Sequence, residues 1–182
     1  MPILKIARMG HPVLQRRAEE VADPTAPGVT RLVSDMIATM HDANGRGLAA
    51  PQVHVPLRVV VFITPDDPEH EGVTAIVNPV LELLTEERVE GWEGCLSVPG
   101  LQGFVPRAPK VRYTGVTPDG VVIDRTVEGF HAVVVQHEFD HLDGILYPQR
   151  MTDLNKLIFE SESRWFGPAE PAEVGDGQEA ES

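Results

Sequence analysis

Residues 136–141 read Gln136-His137-Glu138-Phe139-Asp140-His141, and no other stretch restricts the fold as much. On a helix, side chains four residues apart project from one face, so His137 and His141 are neighbours. Two imidazoles so placed can share a metal ion, and Glu138 between them can act on a water at that ion. Such an ion needs a third protein ligand, and Cys95 is the only cysteine in the chain. The expected site is Cys95, His137 and His141 around one ion, with Glu138 as general base.

The residues around the motif fit a buried helix over 130–142. Phe130, Val133, Val134, His137 and His141 recur at spacings of three and four, and Asp143-Gly144 supplies the stop. The histidines therefore continue an apolar stripe, where an unpartnered imidazole would lose its hydration. The metal would lie at the floor of an apolar pocket. The competing reading is a pair of surface histidines on an amphipathic helix. Cys95 likewise has two rival roles, as an inert small core residue or as a nucleophile activated by a histidine. Ser97 is a weaker nucleophile candidate because no Gly-x-Ser-x-Gly elbow surrounds it. The remaining histidines (His11, His41, His54, His70, His131) show no ligand spacing and are read as structural.

The rest of the chain reads as α+β. Val29, Leu32, Val33, Met36, Ile37 and Met40 form a helical stripe that ends at Asn44-Gly45. Residues 45–52, Gly45-Arg46-Gly47-Leu48-Ala49-Ala50-Pro51-Gln52, make a compact segment that lacks the lysine and Ser/Thr of a phosphate loop. The β-branched run 58–64 is a buried strand, followed by a surface loop over 65–72. A strand over 73–84 is interrupted at Asn78-Pro79, which bends it or puts it at an edge. Residues 86–92 suggest a strand leading into the cysteine, and 110–117 with 121–128 a hairpin turned at Pro118-Asp119-Gly120. A third helix is predicted over 152–166, with Leu154, Leu157, Ile158 and Trp165 facing the core. Helix, strands, helix, helix without regular βαβ alternation predicts mixed and antiparallel sheets around a central metal-binding helix.

Composition narrows the function classes. The 182 residues, 42% hydrophobic and 24% charged, suit one globular domain over 1–166. A net charge of -13 argues against nucleic-acid binding, which needs a basic face. Part of that acidity is local: residues 167–182 hold Glu170, Glu173, Asp176, Glu179 and Glu181 with no basic residue, and read as a disordered tail. No apolar run is long enough to span a bilayer, and no signal-peptide pattern opens the chain. The lone cysteine suits a reducing compartment, and the expected location is the cytoplasm.

Three segments taken together, Gly-x-Gly-Leu-Ala-Ala-Pro-Gln at 45–52, Glu-Gly-Cys-Leu-Ser at 93–97 and Gln-His-Glu-x-x-His at 136–141, resemble the three signature motifs of the peptide deformylases in order and separation. The resemblance covers nearly all of residues 1–165. It implies a metal held by Cys95, His137 and His141, with Glu138 as catalytic glutamate. It also implies an oxyanion met by the Gln52 side chain and the Leu96 backbone N–H. The implied reaction removes the N-formyl group from the initiator methionine of nascent proteins, as water at the metal attacks the formyl carbon.

Phe130, Val133 and Val134 are placed to line a slot for the methionine side chain, and Gly47 would let the peptide lie along motif one in a strand-like pose. By resemblance the ion is Fe(2+), with Zn(2+) or Ni(2+) also able to occupy a Cys-His-His site. The implied enzyme is a monomer that meets N-formylmethionyl chains near the ribosome. Arg46 stands where the family usually has an aliphatic residue and His54 where it often has glycine, which bears on substrate preference beyond the methionine. Glu93, Arg107 and Asp140 are candidates to orient the ligand histidines. Two rivals are carried: a zincin-type endopeptidase, suggested by His-Glu-x-x-His alone, and a non-catalytic peptide- or metal-binding relative.

Overall fold

The computed structural model describes residues 2–63 and 72–166. Among the described residues, two sheets and two α-helices make up the architecture. Helix α1, Pro27–Asp42, starts on a proline whose missing N–H costs nothing in the first turn. It ends before Asn44, which takes the left-handed backbone conformation (φ 53). Helix α2, Gly129–Leu142, carries the histidine motif.

The larger sheet contains β1 (Gly47–Ala49), β2 (Val59–Ile63), β3 (Val73–Leu83), β6 (Lys110–Val116) and β7 (Val122–Glu128), ordered β1-β2-β3-β6-β7 with every pair antiparallel. Strand β2 explains how the helices are placed. Val59, Val60, Val61 and Phe62 are all fully buried, as expected of a strand covered on both faces. Alternation sends Val59 and Val61 into a cluster with Val33, Met36 and Met40 of α1. Val60 and Phe62 pack instead with Val134, Val135 and Phe139 of α2. The sheet is thus sandwiched between the two helices. The motif helix is buried almost throughout, so its polar side chains must find partners inside the protein.

The smaller sheet, ordered β4-β5-β8, joins β4 (Val89–Cys95), β5 (Val98–Arg107) and β8 (Leu157–Phe159). Cys95 pairs with Val98, so Leu96 and Ser97 form the two-residue turn of a hairpin whose tip holds the cysteine. That tip is brought to α2 by the polar contacts described below.

Two sequence expectations need correction, the C-terminal helix and the core-facing side chains assigned to it. The helix predicted over 152–166 is instead a 3-10 turn at Leu154–Lys156, strand β8, and a second 3-10 turn at Glu160–Trp165. Asp153 caps the first turn through the Asn155 N–H at 2.9 Å, and pairing of β8 with Leu101, Gln102 and Gly103 overrides the helical spacing. Leu154 and Trp165, predicted to face the core, are 68% and 71% exposed. Strand β3 is bent at Asn78-Pro79, with a register shift between Val77 and Val80, but it lies inside the sheet and not at its edge. Asn78 sits in the left-handed conformation (φ 51), and its side-chain amide exchanges hydrogen bonds with the Val21 backbone at 2.8 and 2.9 Å. Strand β5 was not predicted. The acidic segment 167–182, and the loop predicted over 65–72 except for Gly72, lie outside the described residues.

Candidate metal centre

On α2, residues 137 and 141 are one turn apart, and their rings stand edge to face with centroids 4.9 Å apart. The Cys95 sulfur at the hairpin tip approaches His141 Nε2 to 3.3 Å. One donor atom each from Cys95, His137 and His141 lies within 4.8 Å of the others. The trio expected from the sequence is therefore brought together from two elements.

The orientation of His137 is fixed from behind. Its Nδ1 meets Glu93 Oε2 at 2.7 Å, which leaves Nε2 as the free nitrogen. Glu93 is in turn clamped by Arg107, Nε to Oε1 at 2.7 Å and a terminal nitrogen to Oε2 at 3.0 Å. Arg107 also reaches Asp140 at 2.6 Å, and Asp140 is held by Arg150 at 2.7 Å. The three candidate orienting residues thus form one connected chain from His137 to the surface. Burial opposes the charge on Glu93, yet hydrogen bonds from His137 and Arg107 and the Arg107 charge hold its carboxyl below the ordinary glutamate range.

The electrostatics favour a cation. Burial works against charging His137, but Cys95 and Glu93 beside it hold its pKa well above the ordinary histidine value. Burial pushes His141 well below that value, so it stays a neutral imidazole fit to coordinate. Burial also pushes the Glu138 carboxyl up to about 7, the Glu93 charge adding to the effect while His137 opposes it. Glu138 Oε2 and His141 Nδ1 are buried and have no protein hydrogen-bond partner. A soft sulfur, two imidazoles, converging geometry and an unsatisfied carboxylate oxygen fit a divalent ion with a water beside it.

A cavity of about 500 Å³ opens over this cluster. Its walls include Gly47, Gln52, Leu96, Phe130, Val133 and Val134 as well as Cys95, His137 and Glu138. All the apolar residues assigned to a methionine slot therefore reach one cavity, although Phe130 is 47% exposed and stands at its mouth. Gly47 is placed against Glu138: a Cβ there would stand 2.5 Å from Glu138 Cδ and 2.7 Å from Cγ. Gln52 is buried, with its Oε1 accepting from the Ala49 N–H at 2.8 Å. Its Nε2 donates to Ser97 Oγ at 3.1 Å and lies 3.6 Å from the Cys95 sulfur. Ser97, weighed above as a nucleophile, is fully buried and serves as the acceptor that turns the Gln52 amide toward the cysteine.

Some features were not read from the sequence. Tyr147 stacks on His137 with centroids 6.3 Å apart, and nothing in the local pattern singles out that tyrosine. Trp92 and Glu160 also line the cavity. They belong to β4 and to the turn that replaced the predicted helix. His131 is buried against the Tyr113 hydroxyl at 3.1 Å, in keeping with its structural reading. His54 does not line the cavity. It takes the left-handed conformation (φ 65) that glycine adopts without strain, and its ring meets that of His11 at 4.7 Å.

Comparison with known proteins bears on this geometry. The sequence matches the polypeptide deformylase family model over residues 3–157. It is 52% identical over 161 residues to peptide deformylase 1 of Nitrosomonas europaea, covering 86% of this chain and 90% of that protein. It is 50% identical over 164 residues to peptide deformylase 2 of Ralstonia nicotianae, covering 87% and 90%. Among solved structures, the actinonin-bound class I type b peptide deformylase of Acinetobacter baumannii superimposes with a TM-score of 0.76 at 35% identity, covering 84% of this chain and all of that one. The peptide deformylase of Thermotoga maritima gives 0.78 at 32% identity, with 84% and 100% covered. With sequence, fold and the three converging motifs in agreement, the chain belongs to the polypeptide deformylase family.

Proposed function

We propose that the cavity over Cys95, His137 and His141 removes the N-formyl group from formyl-methionyl peptides, with these three residues holding one divalent ion. The observation that carries the reading is the convergence of the three donors beside a buried, unpartnered Glu138 oxygen. When bound, the ion supplies a Lewis acid that brings a water's pKa toward neutrality and polarises a carbonyl. Fe(2+) is the proposed ion, with Zn(2+) or Ni(2+) as substitutes that the same donors accept.

The protein's own groups account for the remaining chemistry. Glu138, ionised, accepts a proton from the attacking water as the oxygen–carbon bond forms, and delivers it to the amine as the carbon–nitrogen bond breaks. Formate and a free N-terminal methionine result. Negative charge growing on the formyl oxygen is met by the Gln52 Nε2–H and the Leu96 N–H, both preset by the hairpin tip and the Ala49 and Ser97 contacts. Phe130, Val133 and Val134 exclude water and receive the methionine side chain. Among the described residues β1 and β4 each pair on one side only, and both line the cavity, so the peptide backbone has two sheet edges to follow.

The same reading places the enzyme in the cytoplasm as a monomer that meets nascent chains near the ribosome. No helix among the described residues is long and apolar enough to cross a membrane. Anaerobic purification, metal analysis and formate release from a formyl-methionyl peptide test the site. Wild type is expected to bind one ion per chain and turn over, whereas Cys95→Ala is expected to lose both. A metal-loaded wild type that releases no formate would end the reading.

A further inference from the structure

The β1 side of the cavity mouth is formed by Asn44, Gly45, Arg46 and Gly47, of which only Arg46 is charged. Its backbone is fixed on both sides. The Arg46 carbonyl accepts from the Ile63 N–H at 2.8 Å. Gly45 packs against Leu96, where a Cβ would stand 2.8 Å from Cδ1, and Gly47 packs against Glu138. Arg46 is thus held between two glycines that pack against Leu96 and Glu138, both assigned to the reaction. Arg46 stands in the bend immediately before β1, where it is exposed and lines the cavity.

The guanidinium has no carboxylate partner there among the described residues, whereas Arg58, Arg107, Arg112 and Arg150 all end on one. An exposed, unpaired cation on the rim of a substrate cavity, in a chain of net charge -13, is a local reversal of sign. Among the described residues, the other exposed charge on the rim is Glu160, on the β4 side, 3.7 Å from a Cβ built at Gly94, so their charge is positive toward β1 and negative toward β4.

We infer that Arg46 is a specificity residue for the deformylation proposed above. It favours formyl-methionyl peptides with Asp or Glu among the first two residues after the methionine, at the one position whose side chain turns toward β1. In a strand-like pose consecutive peptide side chains face opposite ways, so the preference belongs to one of the two positions and not to both.

The test uses the full-length, metal-loaded enzyme and C-terminally amidated peptides formyl-Met-X-Ser and formyl-Met-Ala-X, with X as Glu, Gln or Lys. The readout is the ratio of kcat/KM for Glu over Gln within one enzyme, so any general loss in a variant cancels. In wild type the ratio is expected to be about two- to five-fold at one position, the size of an exposed ion pair, with Lys below Gln. It should fall toward one in high salt. Arg46→Ala should abolish it, Arg46→Glu should invert it and Arg46→Lys should keep most of it. Equal rates for Glu and Gln at both positions in wild type, or a preference that survives Arg46→Ala, would overturn the inference. Absence of turnover with every peptide, the neutral ones included, would instead overturn the deformylase reading on which it rests.

Discussion

A methyl group at position 47 has no room beside the Glu138 carboxylate. In Gly47→Ala the new Cβ would stand 2.5 Å from Glu138 Cδ and 2.7 Å from Cγ, with Oε1 closer still. Carbon atoms in good contact are about 3.5–4.0 Å apart, so Glu138 must withdraw by about 1 Å. The alanine itself is free of backbone strain, because Gly47 is not among the residues with positive φ. A misplacement of this size in a reacting group costs about 10²-fold in rate. The overpacking itself costs about 1–3 kcal/mol of stability, which leaves the protein folded. The assay is kcat and KM on one formyl-methionyl peptide, with metal content and Tm measured on the same samples. Gly91→Ala is the control, since Gly91 lies in β4 with nothing within 4 Å of its Cβ position. The expected outcome for Gly47→Ala is a fall in kcat of about 10²-fold with the metal retained. Wild-type kcat would refute the reasoning. A raised KM with unchanged kcat would also refute it, and would mean that Gly47 makes room for the peptide and not for the general base.

Other predictions follow from the same contacts. Glu93→Ala removes the partner of His137 Nδ1 and leaves the buried Arg107 with Asp140 alone as its carboxylate partner; metal affinity should fall about 10–100-fold and unfolding free energy by at most about 3 kcal/mol, read by chelator competition and denaturant titration. Glu138 must be ionised to act as a base, and burial raises its pKa to about 7 in the metal-free protein. A nearby cation lowers it, so kcat/KM should show an acid limb between the ordinary glutamate range and about 7, and a profile flat through that interval would contradict the assignment. The sign for stability is opposite. A raised folded pKa means that the native state loses stability as pH rises from the unfolded value of 4.5 toward about 7. Metal-free Glu138→Gln should therefore be more stable than wild type at pH 8 and nearly equal to it below about pH 4.5, measured by denaturant unfolding. Gln136 bonds the Ala108 N–H at 3.0 Å and its carbonyl at 2.9 Å; Gln136→Leu strands both buried groups and should cost about 1–3 kcal/mol.

Much of the site was legible because it depends on local periodicity. The spacing of His137 and His141 on an apolar stripe gives the helix and the proposed ligand pair together, and the single cysteine leaves few choices for a thiolate. The buried strand β2 was legible for a related reason, since an unbroken β-branched run suits a strand covered on both faces. Strand β5 was not, because Pro99, Gly100, Gly103 and Pro106 break the alternation that marks a strand. The C-terminal helix was misread because Leu154, Leu157 and Ile158 carry helical spacing, while the pairing of β8 with β5 is a tertiary contact that spacing cannot encode. Glu93, Arg107 and Asp140 were visible only as candidates. Their order in one chain behind His137 depends on how the β4–β5 hairpin docks on α2.

The central claim is that a metal held by Cys95, His137 and His141 works with Glu138 as general base on a formyl amide. The most direct measurement is formate release from a formyl-methionyl peptide by anaerobically purified wild type beside Glu138→Ala, with metal determined on both. The account predicts turnover by wild type and a collapse of turnover in Glu138→Ala with its metal retained. Equal turnover by the two proteins, or no formate from a folded, metal-loaded wild type, would contradict it.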